Sequence, residues 1–409
     1  MRKLITAGLL SIVLLLSACT AVKEPDVERI EETEAVSASE STSAEEKTSE
    51  ATTEETTTEE TTTEETTEAT TEETTEETTE ETTEETSALP ELRDPDHVIN
   101  TDTTLYSYEM MEEDLHYLAA VHPELMTLES MGQTADGREL YVVYFGNREA
   151  DRQIFICAAT HAREYMTPQL VMKQLEFYAG HYYDESYNGV PFHEIFEKTC
   201  FVVMPMINPD GVSISQFGEA GVRSPELLEK IRRIYETDVN GGYTSDLEYS
   251  HYLVRWKANA NGVDINRNFS PGWDTIFERP GPSSGMYKGE APGDQAESQA
   301  LMALIDSLSN PLVVISYHSY GDLVYYQYGQ TGELYAQSEL LAQRISNLTG
   351  HYLAGYSNEA GFTNWCVRER GIPAVVVETG TVPTPLPLDQ FPDLWSRHRY
   401  MWAMLGTAY

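Results

Sequence analysis

Basic residues, cysteine and long apolar runs are all scarce in this chain, and each shortage excludes something. Lysine and arginine total 26 against 68 aspartate and glutamate, a formal net charge of −42 at pH 7. About half of that charge falls in residues 20–91, and the rest of the chain is moderately acidic. An acidic fold argues against binding to nucleic acid or to an anionic membrane surface. Only four cysteines are present, and no two have zinc-finger spacing. Cys157 and Cys200 lie in apolar, strand-like runs and read as buried thiols, since a small apolar cysteine packs well. A bridge between them stays open if those strands are neighbours, because an exported protein meets oxidising conditions. From Thr20 to about Ser87 almost no large apolar residue occurs. Such a stretch cannot bury a core and is expected to be disordered.

The ends carry an address. Residues 1–19 read Met-Arg-Lys, an apolar run Leu4–Leu16, then Ser17-Ala18-Cys19. The basic start and short apolar run are those of a secretory signal, too short to span a membrane comfortably. Leu16-Ser-Ala-Cys19 resembles a bacterial lipobox, which implies lipidation of Cys19; two acyl chains suffice for stable anchoring. Residues 20–91 settle into a Thr-Thr-Glu-Glu repeat, which like-charge repulsion stretches. Roughly 70 residues reach about 230 Å at full extension. The expected location is the outer side of a bacterial cell membrane, lipid-anchored, with a Thr/Glu spacer in front of the folded part.

Residues 92–409 have ordinary globular composition and suit one α/β domain. Strand-like runs are Leu140–Phe145, Ile154–Cys157, Cys200–Met206, Leu312–Tyr317 and Ala374–Val377. They are continuous rather than alternating, which predicts strands buried on both faces. Amphipathic helical stretches lie between them, over Tyr108–Val121, Thr167–Tyr182, Pro225–Glu236, Asp294–Leu308, Gly332–Leu348 and Pro392–Leu405. Alternation of the two predicts a mixed, largely parallel sheet flanked by helices. Open α/β sheets bind ligands beyond the carboxyl ends of their strands. Polar groups follow four of these runs: His161 and Glu164, Asn208-Pro-Asp-Gly211, His318, and Glu378. Two histidines and a glutamate form a ligand set that zinc takes while keeping a position open for water.

Taken together, these motifs resemble the zinc metallocarboxypeptidases of the carboxypeptidase A class. The bacterial branch that includes γ-D-glutamyl-diaminopimelate peptidases is the nearest in pattern. The resemblance spans residues 105–409 and opens with Tyr106-Ser-Tyr108 and Gly132-x-x-x-x-Gly-Arg-Glu139. It implies one zinc per chain, held by His161, Glu164 and His318, with Asp264 of Gly-Val-Asp-Ile-Asn-Arg-Asn268 supporting the first histidine. It implies that Glu378 is the general base toward a zinc-activated water. Asn266 and Arg267 match the pair that grips a substrate carboxylate, and Tyr356 the mobile tyrosine that covers substrate. Arg163, Ser319 and Tyr320 match flanking subsite residues, and Thr363 the pocket floor. Gly329 implies a roomy pocket, and Glu359 faces either its rim or solvent.

One departure stands out: the family's electrophilic arginine follows a tryptophan, whereas here Trp256 is followed by Lys257 and preceded by Arg255. Which of the two cations serves the oxyanion stays open. The expected substrate is a peptide or a peptidoglycan stem peptide, acted on by a monomer. The alternatives are a general exocellular carboxypeptidase on environmental peptides, an inactive peptide-binding lipoprotein, and a deacylase on the same scaffold. The anchoring expectation is tested by Cys19→Ala, which releases the protein into detergent-free fractions; unchanged membrane association of that variant counts against lipidation.

Overall fold

The computed structural model describes residues 92–94, 96–356 and 360–409. Cys19, the Thr/Glu stretch and Glu359 lie outside them. Among the described residues no helix is long and apolar enough to cross a membrane.

Eight strands form one mixed sheet. In chain order they are β1 (Met126–Gln133), β2 (Glu139–Gly146), β3 (Gln153–Cys157), β4 (Cys200–Met204), β5 (Pro311–His318), β6 (Leu323–Gln327), β7 (Tyr352–Tyr356) and β8 (Ala374–Glu378). Their order across the sheet is β1-β2-β4-β3-β5-β8-β6-β7. The middle four, β4-β3-β5-β8, run parallel. All five predicted strands are here. Their β-branched residues point alternately to two faces, and each face meets its own helices. On one face Ile154, Ile156, Val203, Ile315 and Val377 pack with Leu170 and Leu175 of the helix Met166–Gly180 and with Trp402. On the other, Phe155, Cys157, Val202 and Val314 pack with Leu301 and Leu304 of the helix Ala296–Ser307 and with Trp365. Covering both faces is what allows uninterrupted apolar strands.

The chain leaves β3 over one face to reach β4 and returns over the other to β5. Between β3 and β5 the direction of winding reverses, and such a crevice is where open α/β sheets place a ligand. His161 follows β3, His318 ends β5, and Glu378 ends β8 directly across from His318 in register.

Two expectations change. The stretch Pro392–Leu405 is not one helix but two, Phe391–His398 and Met401–Ala408. Side chains of the helix Met166–Gly180 enter the break: Gln174 donates to the His398 carbonyl at 2.7 Å, and Tyr178 accepts from the Ala403 N–H at 3.1 Å. Insertions of this kind interrupt a helical ladder. Cys157 and Cys200 do lie on neighbouring strands. The register, however, pairs Cys157 with Met204 and Cys200 with Gln153, so both stay free and buried. Burial pushes each thiol up to about 12, far from the reactive range.

The Gly132-to-Glu139 turn is locked by charge. Arg138 is 2% exposed and bonds Asp136 at 2.7 Å and Asp210 at 3.0 Å, with a third bond to the Gly221 carbonyl. Removing one partner of a buried ion pair strands the others and costs about 3–5 kcal/mol. Arg138→Ala is therefore expected to lose that much stability in denaturant titrations at pH 7. A loss below about 1 kcal/mol contradicts the role given to the pair.

Candidate active site

The turn that carries His161 and Glu164 is braced from several sides. Ala159 takes a left-handed φ of 51°, a strained choice for a residue with a Cβ. Its N–H is held by the Thr167 hydroxyl at 3.1 Å, and that hydroxyl donates to the Glu164 carbonyl at 2.8 Å. Asn208, fully buried, donates its backbone N–H to the Ala159 carbonyl at 3.2 Å and its side-chain amide to the carbonyls of Thr160 and Ala258. The Asn208-Pro-Asp-Gly211 segment, grouped by sequence with the chemistry at the strand ends, is thus a scaffold for this turn and not a chemical group.

Three side chains then converge. His161 Nδ1 lies 2.8 Å from Glu164 Oε1, His318 Nδ1 lies 3.0 Å from Glu164 Oε2, and the two Nδ1 atoms are 3.2 Å apart. All three side chains are buried. Two imidazole lone pairs and a carboxylate in such proximity want a cation between them. Bonds of about 2.0–2.1 Å to a tetrahedral ion set two ligands roughly 3.3 Å apart, close to the separations seen. The donor set fits zinc, which accepts nitrogen and carboxylate ligands. Glu164 is also fixed by the Ser319 N–H at 3.2 Å.

Asp264 supports this cluster. One oxygen stands 3.3 Å from His161 Nε2, an electrostatic contact, and accepts from the Asn266 N–H at 3.2 Å. The other accepts from Lys257 Nζ at 2.7 Å and from the Met286 N–H at 3.1 Å. A carboxylate behind a ligand histidine fixes its orientation and raises its basicity. Burial alone pushes Asp264 up, but Lys257 and His161 hold its carboxyl well below the ordinary range. Glu164 behaves alike: burial raises it, and the two imidazoles more than reverse that. Burial, with Lys257 adding to it, lowers His161, whereas the Glu164 carboxylate outweighs burial at His318 and raises it.

A cavity of about 150 Å³ opens beside the cluster, lined by His161, Lys257, Asn266, Arg267, Tyr356 and Glu378, and also by Tyr325 and Val376. Burial pushes the Glu378 carboxyl up to about 7; His318 opposes this and the Glu164 charge adds to it. Arg267 is 3% exposed, with Glu278 at 3.5 Å, and donates to the Asn266 carbonyl at 3.0 Å. The Asn266 side chain accepts from the Phe362 N–H at 3.2 Å. It fits because residue 361 is glycine: a Cβ there would sit 2.7 Å from its oxygen.

The open choice between two cations has a geometric outcome. Lys257 lines this cavity, while Arg255 is largely exposed and lies 3.6 Å from Asp246. Arg163 points to the Arg255 carbonyl at 3.4 Å, in a neighbouring groove. Ser319 is buried, with its hydroxyl 3.2 Å from that of Thr379, and Tyr320 is exposed beside it. Thr363 is buried and bonded to the Tyr328 hydroxyl, and neither it nor Gly329 lines the cavity. The pocket's polarity comes from Asn266 and Arg267 instead. Tyr325 and Val376 escaped the sequence reading. They pair across β6 and β8, and only that register brings them to the cavity.

Sheet, switch-point crevice and His-Glu-His cluster together define a metal-dependent hydrolase of α/β architecture. The family description "Zinc carboxypeptidase" matches residues 111–371, and the chain belongs to that family. It is a zinc metallopeptidase. Glu378 lies beyond the matched range. Among relatives, a γ-D-glutamyl-L-diamino acid endopeptidase of Lysinibacillus sphaericus is 26% identical over 297 residues, covering 71% of this chain and 69% of its own. A carboxypeptidase B of Astacus astacus is 28% identical over 234 residues, covering 57% of this chain and 67% of its own. The crystal structure of carboxypeptidase A from Helicoverpa armigera shares the fold, with a TM-score of 0.55 at 17% identity over 76% of this chain and 75% of that one.

One zinc per chain is expected in the purified protein. His161→Ala, Glu164→Ala and His318→Ala each lose it, as read by metal analysis after dialysis. Stoichiometric zinc in the His318→Ala protein contradicts the ligand set.

Proposed function

We propose that the protein hydrolyses a peptide bond beside a free carboxylate, with cell-wall stem peptides as its substrates. The observation that carries this reading is the single cavity in which His161, Lys257, Asn266, Arg267 and Glu378 meet. When bound, zinc supplies Lewis acidity, lowering the pKa of a water and polarising a carbonyl. Glu378 then takes a proton from the attacking water and returns it to the leaving amine. Its carboxyl takes no hydrogen bond from the described residues, so both oxygens are available for this. Lys257 places a point charge near the developing oxyanion, where a fixed cation is worth far more than in water. Asp264 holds Lys257 as well as backing His161, so one carboxylate aligns both. Arg267 and Asn266 bind the substrate carboxylate; a guanidinium fork matches that group. Tyr356, exposed at the end of β7, is placed to cover bound substrate.

The choice of cell-wall peptides is supported by the likeness to the Lysinibacillus γ-D-glutamyl-L-diamino acid endopeptidase. The signal-like start, lipobox-like Cys19 and Thr/Glu spacer suit an enzyme held outside a bacterial cell near its wall. General exocellular carboxypeptidase activity is the second reading, favoured by the carboxypeptidase B relative.

Three results are expected. Glu378→Gln keeps its zinc and fold but loses about 10²–10⁴-fold in turnover; near-normal turnover places the base elsewhere. Amidation of the substrate's terminal carboxylate lowers kcat/KM by at least about 100-fold, as for loss of a bidentate charged pair. Equal cleavage of acid and amide removes the role of Asn266 and Arg267. In the same competition assay, stem peptides cut between γ-D-glutamate and diaminopimelate outperform peptides ending in phenylalanine or arginine. The opposite preference rejects the cell-wall reading.

A further inference from the structure

A second and larger concavity, about 420 Å³, adjoins the catalytic cavity and shares Lys257 and Arg267 with it. Its other charged lining residues are Arg163, Arg255 and Arg279, and none of its lining residues is acidic. Five cations around one groove are unexpected in a chain of net charge −42. Three of the five face a carboxylate: Lys257 has Asp264 at 2.7 Å, Arg267 has Glu278 at 3.5 Å and Arg255 has Asp246 at 3.6 Å. Arg163 and Arg279 have none among the described residues. Arg163 donates to the Arg255 carbonyl; Arg279 donates to the carbonyls of Glu278 and Tyr243 and stacks 4.7 Å over the Tyr243 ring. Carbonyls and a ring orient a guanidinium without neutralising it. The Nε atoms of Arg163, Arg267 and Arg279 are also buried without a hydrogen-bond partner. The groove therefore keeps an uncompensated positive charge and unspent donors.

The wall is built to stay in place. Buried Asp238 accepts from the Ser283 hydroxyl at 2.8 Å, the Ser284 N–H at 3.1 Å and the Tyr252 hydroxyl at 2.7 Å. Ser284 in turn accepts the N–H groups of Lys257 and Ala258. The cationic face is thus tied through the backbone to the same segment that carries Lys257.

The geometry points to a second carboxylate subsite in this groove, occupied by the residue that donates the scissile carbonyl. This rests on the proposed peptidase activity and extends it. One substrate carboxylate goes to Asn266 and Arg267. A second goes to Arg279, which faces no carboxylate among the described residues, and to Arg255 beside it, whose Asp246 stands off at 3.6 Å. A glutamyl residue linked through its side chain has the required chemistry. Its scissile amide uses the γ-carboxyl and leaves the α-carboxylate free beside the bond.

The test is a set of matched substrates on the zinc-loaded full chain. One pair is a γ-D-glutamyl–diaminopimelate stem peptide with the glutamyl α-carboxyl free or amidated. The other is an ordinary α-linked peptide with glutamate or glutamine ahead of the scissile bond. The free-carboxylate member of each cleaved pair is expected to be favoured at least about tenfold in kcat/KM, as for one charge-assisted contact. That ratio shrinks as salt is raised. It falls below about threefold in the Arg255→Gln/Arg279→Gln double variant. No preference in the unaltered protein overturns the subsite, and so does a ratio that survives the double substitution. If the γ-linked pair is not cleaved but the α-linked pair shows the preference, the cell-wall reading falls and the groove stands. If the γ-linked pair is cleaved without preference, the groove falls and the cell-wall reading stands.

Discussion

Everything in this structure answers to one unfavourable arrangement. Two imidazole nitrogens and a carboxylate are held 2.8–3.2 Å apart inside the protein, at the edge of a sheet. Electron-rich groups that close repel one another unless a cation sits among them, and buried charge without a partner is costly. The fold supplies the constraint. Parallel β3 and β5, covered by helices on both faces, cannot move their ends apart without disrupting two apolar clusters. Metal affinity is in this sense stored in the packing, and binding of the ion is linked to folding.

The elements around the cluster share supports. Asp264 backs His161 and anchors Lys257 at once. Asp238 fixes the strip around Ser284, and Ser284 fixes Lys257. Glu378, the proposed base, comes from a different strand and is set by its register with His318 on one side and Leu323 on the other. A change in the loop after residue 277 is thus felt at Lys257, whereas the strand pairing that sets Glu378 does not pass through that loop.

The central strands were legible because burial on both faces demands continuous β-branched runs, as in Ala374-Val-Val-Val377. The edge strands were not. β1 and β7 are largely exposed, so their sequences, such as Tyr352-Leu-Ala-Gly-Tyr356, carry no run of that kind. The short helices Pro209–Phe217 and Phe362–Arg370 hid for the opposite reason: they are buried on most sides and lack an apolar stripe. At the site, the groups at strand ends stood out as polar residues after apolar runs. Asn208 did so too, yet serves as a brace, because a strand end needs its backbone satisfied as well as its chemistry. Tyr325 and Val376 left no signal, since their position depends on pairing between β6 and β8. Arg279 sits in irregular chain and gains meaning only from the cations that folding brings beside it.

The central claim is that the cluster of His161, Glu164 and His318 holds the catalytic zinc. A crystal structure of the zinc-loaded protein, with anomalous scattering measured on both sides of the zinc edge, tests it most directly. The account predicts one anomalous peak per chain, bonded to these three side chains at about 2.0–2.2 Å, within reach of Glu378 through one water. A peak bonded elsewhere, or no peak in protein that hydrolyses its substrate at full rate, contradicts it.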